Sequence, residues 1–232
     1  IAIGINQYGH GIAPLQTAVQ DAQTLAMKLK DGHNYQITEL VDEAATLAGL
    51  RTLFHEKLPQ LVTDQDCLLV YFAGHGIAKE PNHAKGKSAP QTEGPVGYLI
   101  PQDARPEDEG TFLPMQEMYR ALESLPCRHF LLILDCCFAG AFRWASTRDV
   151  LVPEEMFQER FQRFQDHDAW QVLTSASHDQ KALDILRDNS TPHTQDADHS
   201  PFAAALFEAL AGKADLVKDR VITATELYLY LR

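Results

Sequence analysis

The sequence predicts an α/β fold in which a mostly parallel sheet is covered by helices on both faces. Three observations predict it. Short apolar runs alternate along the chain with stretches whose apolar residues recur at three and four. The runs Cys67–Ala73 and Leu131–Leu134 are almost continuously apolar, as strands buried on both faces are. Both runs then stop abruptly at reactive residues: His75 between Gly74 and Gly76, and Asp135-Cys136-Cys137 ahead of Gly140. In parallel sheets functional groups gather at the carboxyl ends of the strands.

The elements follow in order. Ile1–Ile5 reads as a short core strand, and residues 6–13 as a Gly-containing loop. Leu15, Ala18, Val19, Ala22, Leu25, Ala26 and Leu29 mark an amphipathic helix from Pro14 to Lys30, closed by Asp31-Gly32. Tyr35–Val41 is the next strand. Leu47, Leu50, Leu53, Phe54 and Leu58 give a helix ending near Pro59. Asp66–Ala73 is the strand leading to His75, and residues 79–95 form a long polar loop. Gly97–Ile100 is a short strand, Met115–Leu125 a helix, and Arg128–Leu134 the strand leading to Cys137. Residues 153–165 read as a short helix, Trp170–Ser175 as a strand, and residues 184–199 as a polar loop. Ser200-Pro201 opens a helix closed by Gly212. Thr223 and Glu226 make a capping box for a last helix.

A chain of 232 residues fits one large domain with a substantial core. Hydrophobic residues make up 45% and charged residues 22%, ordinary for a globular protein. The net charge of -12 argues against nucleic acid or an anionic membrane as the main partner. No apolar run approaches the ~20 residues that span a bilayer. The four cysteines, Cys67, Cys127, Cys136 and Cys137, show neither zinc spacing nor a disulfide framework, which points to a reducing, cytoplasmic setting. Cys67 and Cys127 read as small buried hydrophobes.

A cysteine at its free pKa of about 8.5 is mostly thiol at neutral pH. A neighbouring histidine can take its proton and later protonate a leaving amine. His75 and a cysteine at 136 or 137, each at a strand end, supply that pair. Strand alternation sends Cys136 and Cys137 to opposite sides and does not by itself choose between them. The other nine of the ten histidines, His199 among them, lack this context and read as surface or packing residues.

The order of these pieces, Tyr71-Phe72-Ala73-Gly74-His75-Gly76 and then Asp135-Cys136-Cys137-Phe138-Ala139-Gly140, resembles the caspase-like cysteine peptidases of clan CD. It is most similar to their prokaryotic metacaspase or orthocaspase branch. Leu15 through Asp21-Ala22 and the Ser200-Pro201-Phe202 helix start match as well, so the resemblance spans the chain. It implies a caspase-hemoglobinase-like three-layer sandwich with a mostly parallel central sheet. It implies His75 and Cys137 as the dyad, with the nucleophile three residues before the Gly. The backbone N–H groups of Gly76 and Cys137 are the implied oxyanion hole. Asp21 and Asp135 are the implied pocket acids, selecting a protein or peptide substrate with Arg, or less well Lys, before the cleaved bond. Arg is favoured for its planar fork.

The chain also departs from that family. Ala73 stands where a Ser is common two residues before the histidine, and Ala18 where a Cys is common before the helix Asp. Phe112-Leu113-Pro114 occupies the place of the paired acids of a calcium site, so no calcium or other cofactor is expected. Relatives are often cut after their nucleophile strand; Arg143, Arg148, Arg160, Arg163, Lys181 and Arg187 are the corresponding basic residues. The resemblance further implies a large-subunit-like part over residues 1–140, a small-subunit-like part over 141–232, and excision from a longer protein with sensor domains. A catalytically silent interaction module, or another cysteine hydrolase such as an amidase or a separase-like peptidase, are the competing functions.

Overall fold

The computed structural model describes residues 1–79, 95–137, 169–175 and 198–232. Among these, β1 (Ala2–Gly4), β2 (Glu39–Val41), β3 (Cys67–Ala73), β7 (His129–Asp135) and β8 (Ala169–Thr174) form a five-stranded sheet. Its order is β2-β1-β3-β7-β8 and every pairing is parallel. Three short strands, β4 (Gly76–Lys79), β5 (Val96–Leu99) and β6 (Leu113–Pro114), make a separate antiparallel sheet.

Alternation along the strands distributes the core. Val70, Phe72, Leu132 and Leu134 face a cluster built with the helical segment Leu47–Leu61 and with α4 (Met115–Glu123). Within that segment α2 (Leu47–Thr52) and α3 (Leu58–Leu61) are joined by a π-turn, Leu53–Lys57. Leu69, Tyr71, Ala73 and Ile133 face the opposite cluster, built with α1 (Ala18–His33), α5 (Pro201–Glu208) and α6 (Ala224–Leu231). Each fully buried large apolar side chain contributes about 1.5–3 kcal/mol of transfer free energy, so the two faces together hold the sheet as the middle of three layers.

The helix starts and stops depart from the sequence pattern for local reasons. α1 begins at Ala18 rather than Pro14, because Leu15 N–H bonds back to Asn6 O at 2.9 Å and Val19 N–H is capped by Asn6 Oδ1 at 3.2 Å. It runs through Gly32 and ends where Asn34, at φ 57°, returns its N–H to Leu29 O. The helical segment passes Pro59 because the π-turn just before it absorbs the missing N–H. Cys67 is exposed, not buried: it is the first residue of β3 and lies at the sheet's edge of entry. Cys127 and Cys136 are buried, and all four cysteines are free thiols. The capping box of Thr223 and Glu226 forms as expected. The expected helix over 153–165, Gly140 and all six basic residues after Cys137 lie outside the described residues, as does most of the polar segment 184–199.

Candidate active site

The register of the central strands brings the two reactive residues side by side. β3 and β7 pair from Cys67 with His129 through Ala73 with Asp135, and Gly74 N–H reaches Asp135 O at 3.3 Å. His75 and Cys137 carry the same offset of 62 residues, two positions beyond the last pair. Neighbouring strands lie about 4.8 Å apart, so the chains deliver both residues to one place. The period of two also sets their direction. Tyr71, Ala73 and Ile133 face α1 and α5, and Asp135 does the same, whereas Cys136 packs among Phe72, Leu134 and their neighbours on the other face.

Gly76 locks the two strand ends together. A Cβ at this position would stand 2.4 Å from Cys137 O and 3.0 Å from Cys136 Sγ, so only glycine allows the approach. β4 leaves this point in antiparallel pairing with β5, and the ladder is closed by Ile100 N–H to His75 O at 3.0 Å. Antiparallel alternation then turns Gly76 N–H away from β5.

His75 is fixed by the loop after β1. Asp42 Oδ1 accepts from Asn6 N–H at 2.7 Å and from Gln7 N–H at 2.9 Å, which holds the start of that loop. Its turn uses the left-handed region at His10 and Gly11, φ 54° and 81°. From it Tyr8 Oη accepts His75 N–H at 2.7 Å, and the two rings lie 4.8 Å apart. Ala13 O lies 2.8 Å from His75 Nε2. A carbonyl oxygen only accepts, so Nε2 is the donor, and in the neutral ring that makes Nδ1 the nitrogen able to take a proton. Tyr8 and Ala13 were not singled out in the sequence; a loop tyrosine and a backbone carbonyl carry no pattern of their own.

Cys136 and Cys137 separate as alternation requires. Cys136 is buried, and burial, with the Asp135 carboxylate second, pushes its thiol well above the ordinary thiol range. It is therefore unsuited to form a thiolate. Cys137 is partly exposed and lines a cavity of about 100 Å³ together with His75, Ala73, Asp21, Asp135 and Ser200.

The floor of that cavity is acidic. Asp21 is 0% exposed on α1, one turn after Ala18; Gly4 permits this, since Ala18 O lies 2.5 Å from where its Cβ would be. Asp135 is 7% exposed. Burial pushes Asp135 up to about 6, against hydrogen bonds from Ser200 Oγ at 2.7 Å and Tyr71 Oη at 3.3 Å, both to Oδ2. The Asp21 charge raises it further. Asp21 is itself raised by burial, opposed by Ser200 N–H at 3.2 Å and His199 Nδ1 at 2.7 Å.

His199 and Ser200 thus belong to the site. The expectation of a surface or packing role for His199 is corrected: it packs edge-on against Phe207 but spends one ring nitrogen on Asp21. Ser200 was legible only as a helix cap. Its Oγ accepts Ala203 N–H at 3.0 Å and donates to Asp135, a double role open to a hydroxyl but not to the carboxylate of an Asp cap.

Among the described residues no three His, Cys, Asp or Glu side chains are grouped to hold a metal ion. The residues at the expected calcium position, Phe112 and Leu113, are 3% and 1% exposed and serve as core. Among the described residues no helix is long and apolar enough to cross a membrane.

In a parallel sheet of order 2-1-3-4-5 the crevice at the strand C-termini lies between the first and third strands. Here that crevice holds His75 from β3 and the β1 loop, beside Cys137. The arrangement defines a caspase-like α/β domain. The family model described as "Caspase domain" matches residues 1–227, and the chain belongs to this family. Membership supports a cysteine-peptidase-like function. Among solved structures the chain is similar to protein GSU0716 from Geobacter sulfurreducens, at 17% identity and a TM-score of 0.59, over 90% of this chain and 80% of that one. The likeness at that identity is one of fold. Comparison with curated proteins returns no significant match.

Proposed function

We propose that the protein is a cysteine endopeptidase that cuts after Arg, and less well after Lys, through a His75–Cys137 dyad. The observation that carries this reading is the pair of buried carboxylates, Asp21 and Asp135, in a cavity that opens on both His75 and Cys137. Two carboxylates out of water call for a cation to complete them, and the described protein supplies only a histidine, on Asp21. An arginine side chain fits both the charge and the planar geometry.

His75 Nδ1 takes the Cys137 thiol proton, and the thiolate attacks the carbonyl carbon after the substrate Arg. The oxyanion is met by the N–H groups of Gly76 and Cys137, donors worth about 10²-fold or more in rate each. The imidazolium then gives its proton to the leaving amine as the C–N bond breaks, leaving a thioacyl-enzyme. Water, deprotonated by His75, attacks the thioester and frees Cys137. The residues that would hold a regulatory calcium are apolar and buried here, which supports calcium-independent activity. Four free thiols and a net charge of -12 support a reducing, cytoplasmic setting and peptide rather than nucleic-acid partners.

The test is cleavage of matched fluorogenic peptides ending in Arg, Lys or Asp by wild type and Cys137→Ala, with calcium and with chelator. Arg turnover that is lost in Cys137→Ala and indifferent to chelator is expected. Turnover after Asp, or Arg turnover that survives in Cys137→Ala, would refute the reading. The same panel tests the silent-module alternative: complete inactivity of wild type across it is the outcome that reading requires.

A further inference from the structure

His75 faces two cavities. One is the acidic cavity shared with Cys137. The other, of about 280 Å³, touches neither Cys137 nor either carboxylate. Its walls are Ile12 from the β1 loop, Ile77 from β4, and Ile100 and Phe112 from the segment around β5 and β6. Ile100 and Phe112 are buried at 4% and 3% exposure, and Ile12 and Ile77 close its sides. Lys79 stands at the edge, but its ammonium is engaged twice, with Glu109 Oε1 at 2.6 Å and over the Phe112 ring at 5.2 Å. The cavity therefore presents apolar surface and no unpaired cation.

Its position relative to His75 fixes what it can hold, given the peptidase reading above, on which this inference rests. The residue before the cleaved bond lies over Cys137, with its side chain among the acids. The imidazole nitrogen that faces Cys137 protonates the departing amine, so the chain beyond that amine leaves across the His75 ring, away from Cys137. An extended peptide advances about 3.3 Å per residue and turns successive side chains to opposite sides. The side chain that follows the cleaved bond thus passes His75 into the second cavity. We infer that this cavity is a specificity subsite for a large apolar residue immediately after the scissile bond, so that the preferred sequence is Arg followed by Leu, Ile, Met, Phe or Trp.

The chain carries such pairs itself. Between residues 138 and 197 there are six basic residues, and three of them, Arg143, Arg160 and Arg163, precede Trp144, Phe161 and Phe164. The other three precede Asp149, Ala182 and Asp188.

The test uses a quenched fluorescent peptide copied from residues 139–147, in which Arg143 is the sole cation, and its Trp144→Leu, Trp144→Gly and Trp144→Asp versions. Burying a large apolar side chain corresponds to about tenfold to a hundredfold in kcat/KM, so the Trp and Leu peptides should exceed the Gly and Asp peptides by that ratio. In Ile77→Thr and, independently, Ile12→Thr enzymes the ratio of Trp-peptide to Gly-peptide kcat/KM, measured within each variant, should shrink toward one. Equal cleavage of all four peptides, or preference for Asp, overturns the subsite and leaves Arg-directed cleavage standing. Absence of any Cys137-dependent cleavage after Arg143 overturns the peptidase reading and the subsite with it.

Discussion

Ser200→Ala should damage stability and pH dependence together, and the two effects can be worked out separately. The substitution removes a helix N-cap, the Ala203 N–H to Ser200 Oγ bond at 3.0 Å, worth about 1 kcal/mol. It also removes a 2.7 Å buried donor from Asp135 Oδ2, a hydrogen bond to a charged group worth about 1.5–3 kcal/mol. Below about pH 4, where Asp135 is protonated, the loss in urea unfolding should be near the cap term alone. It should grow toward about 3 kcal/mol above pH 7, where the ionised carboxylate needs the donor. Asp135 stands at about 6 in the folded protein against an ordinary 3.8, so the folded state holds the proton more tightly than the unfolded chain. Stability from this group is accordingly greatest below about pH 4 and declines as pH rises through about 6. Without the Ser200 donor the folded value rises further. The acidic limb of kcat/KM for an Arg peptide reports the free enzyme's groups, and it should move up by about one pH unit, equivalent to about 1.4 kcal/mol. Ser200→Thr keeps both bonds and should restore both readouts. An acidic limb that stays in place in Ser200→Ala, with stability lost equally at pH 4 and pH 7.5, would refute the argument that this hydroxyl tunes Asp135.

Three further outcomes are expected. Asp135→Asn should lower kcat/KM for Arg peptides by about a hundredfold or more while holding or raising stability at pH 7.5 by about 1–3 kcal/mol, because it removes an ionised group that burial disfavours; thermal unfolding with an accompanying assay reads both. Gly76→Ala should cost at least about 10²-fold in kcat with the fold intact by circular dichroism, because the new Cβ meets Cys137 O at 2.4 Å and pushes apart the two N–H groups proposed to meet the oxyanion; wild-type kcat would show that the approach is not needed. Tyr8→Phe removes the acceptor of His75 N–H at 2.7 Å and should lower kcat about tenfold with KM unchanged; a rise in KM alone would mean that Tyr8 touches substrate instead of positioning the histidine.

The parallel sheet and the strand-end placement of His75, Cys137 and Asp135 were legible because strands buried on both faces read as continuous apolar runs that stop at a point the sequence displays. Asp21 was legible only through resemblance, and the structure puts it in the same cavity as Asp135. Much of what holds these residues was not legible. β4 begins immediately after a glycine-flanked histidine, and four residues of an edge strand have too short a pattern to be told from a loop. The start of α1 is set by Asn6, whose capping oxygen comes from 13 residues upstream of Val19, beyond the reach of a local capping rule. His199 sits at the end of a polar stretch and meets Asp21 only through a fold that closes 178 residues of chain. Cys67 was misjudged because an apolar run does not say which of its residues is the first to leave solvent.

The acidic floor also has a mechanical meaning. Asp21 and Asp135 belong to the first part of the chain, while the hydroxyl, amide and imidazole that engage them belong to residues 199 and 200. Behind those bonds Ala203, Leu206, Phe207 and Leu227 are buried against α1 and the sheet. A nick anywhere between residues 176 and 197 would therefore leave two polypeptides clasped by a common apolar seam and by the same carboxylates that floor the cavity. The piece carrying His199 would travel with its partner through gel filtration and part from it only in denaturant, so that loss of covalent continuity and loss of the site would be separate events.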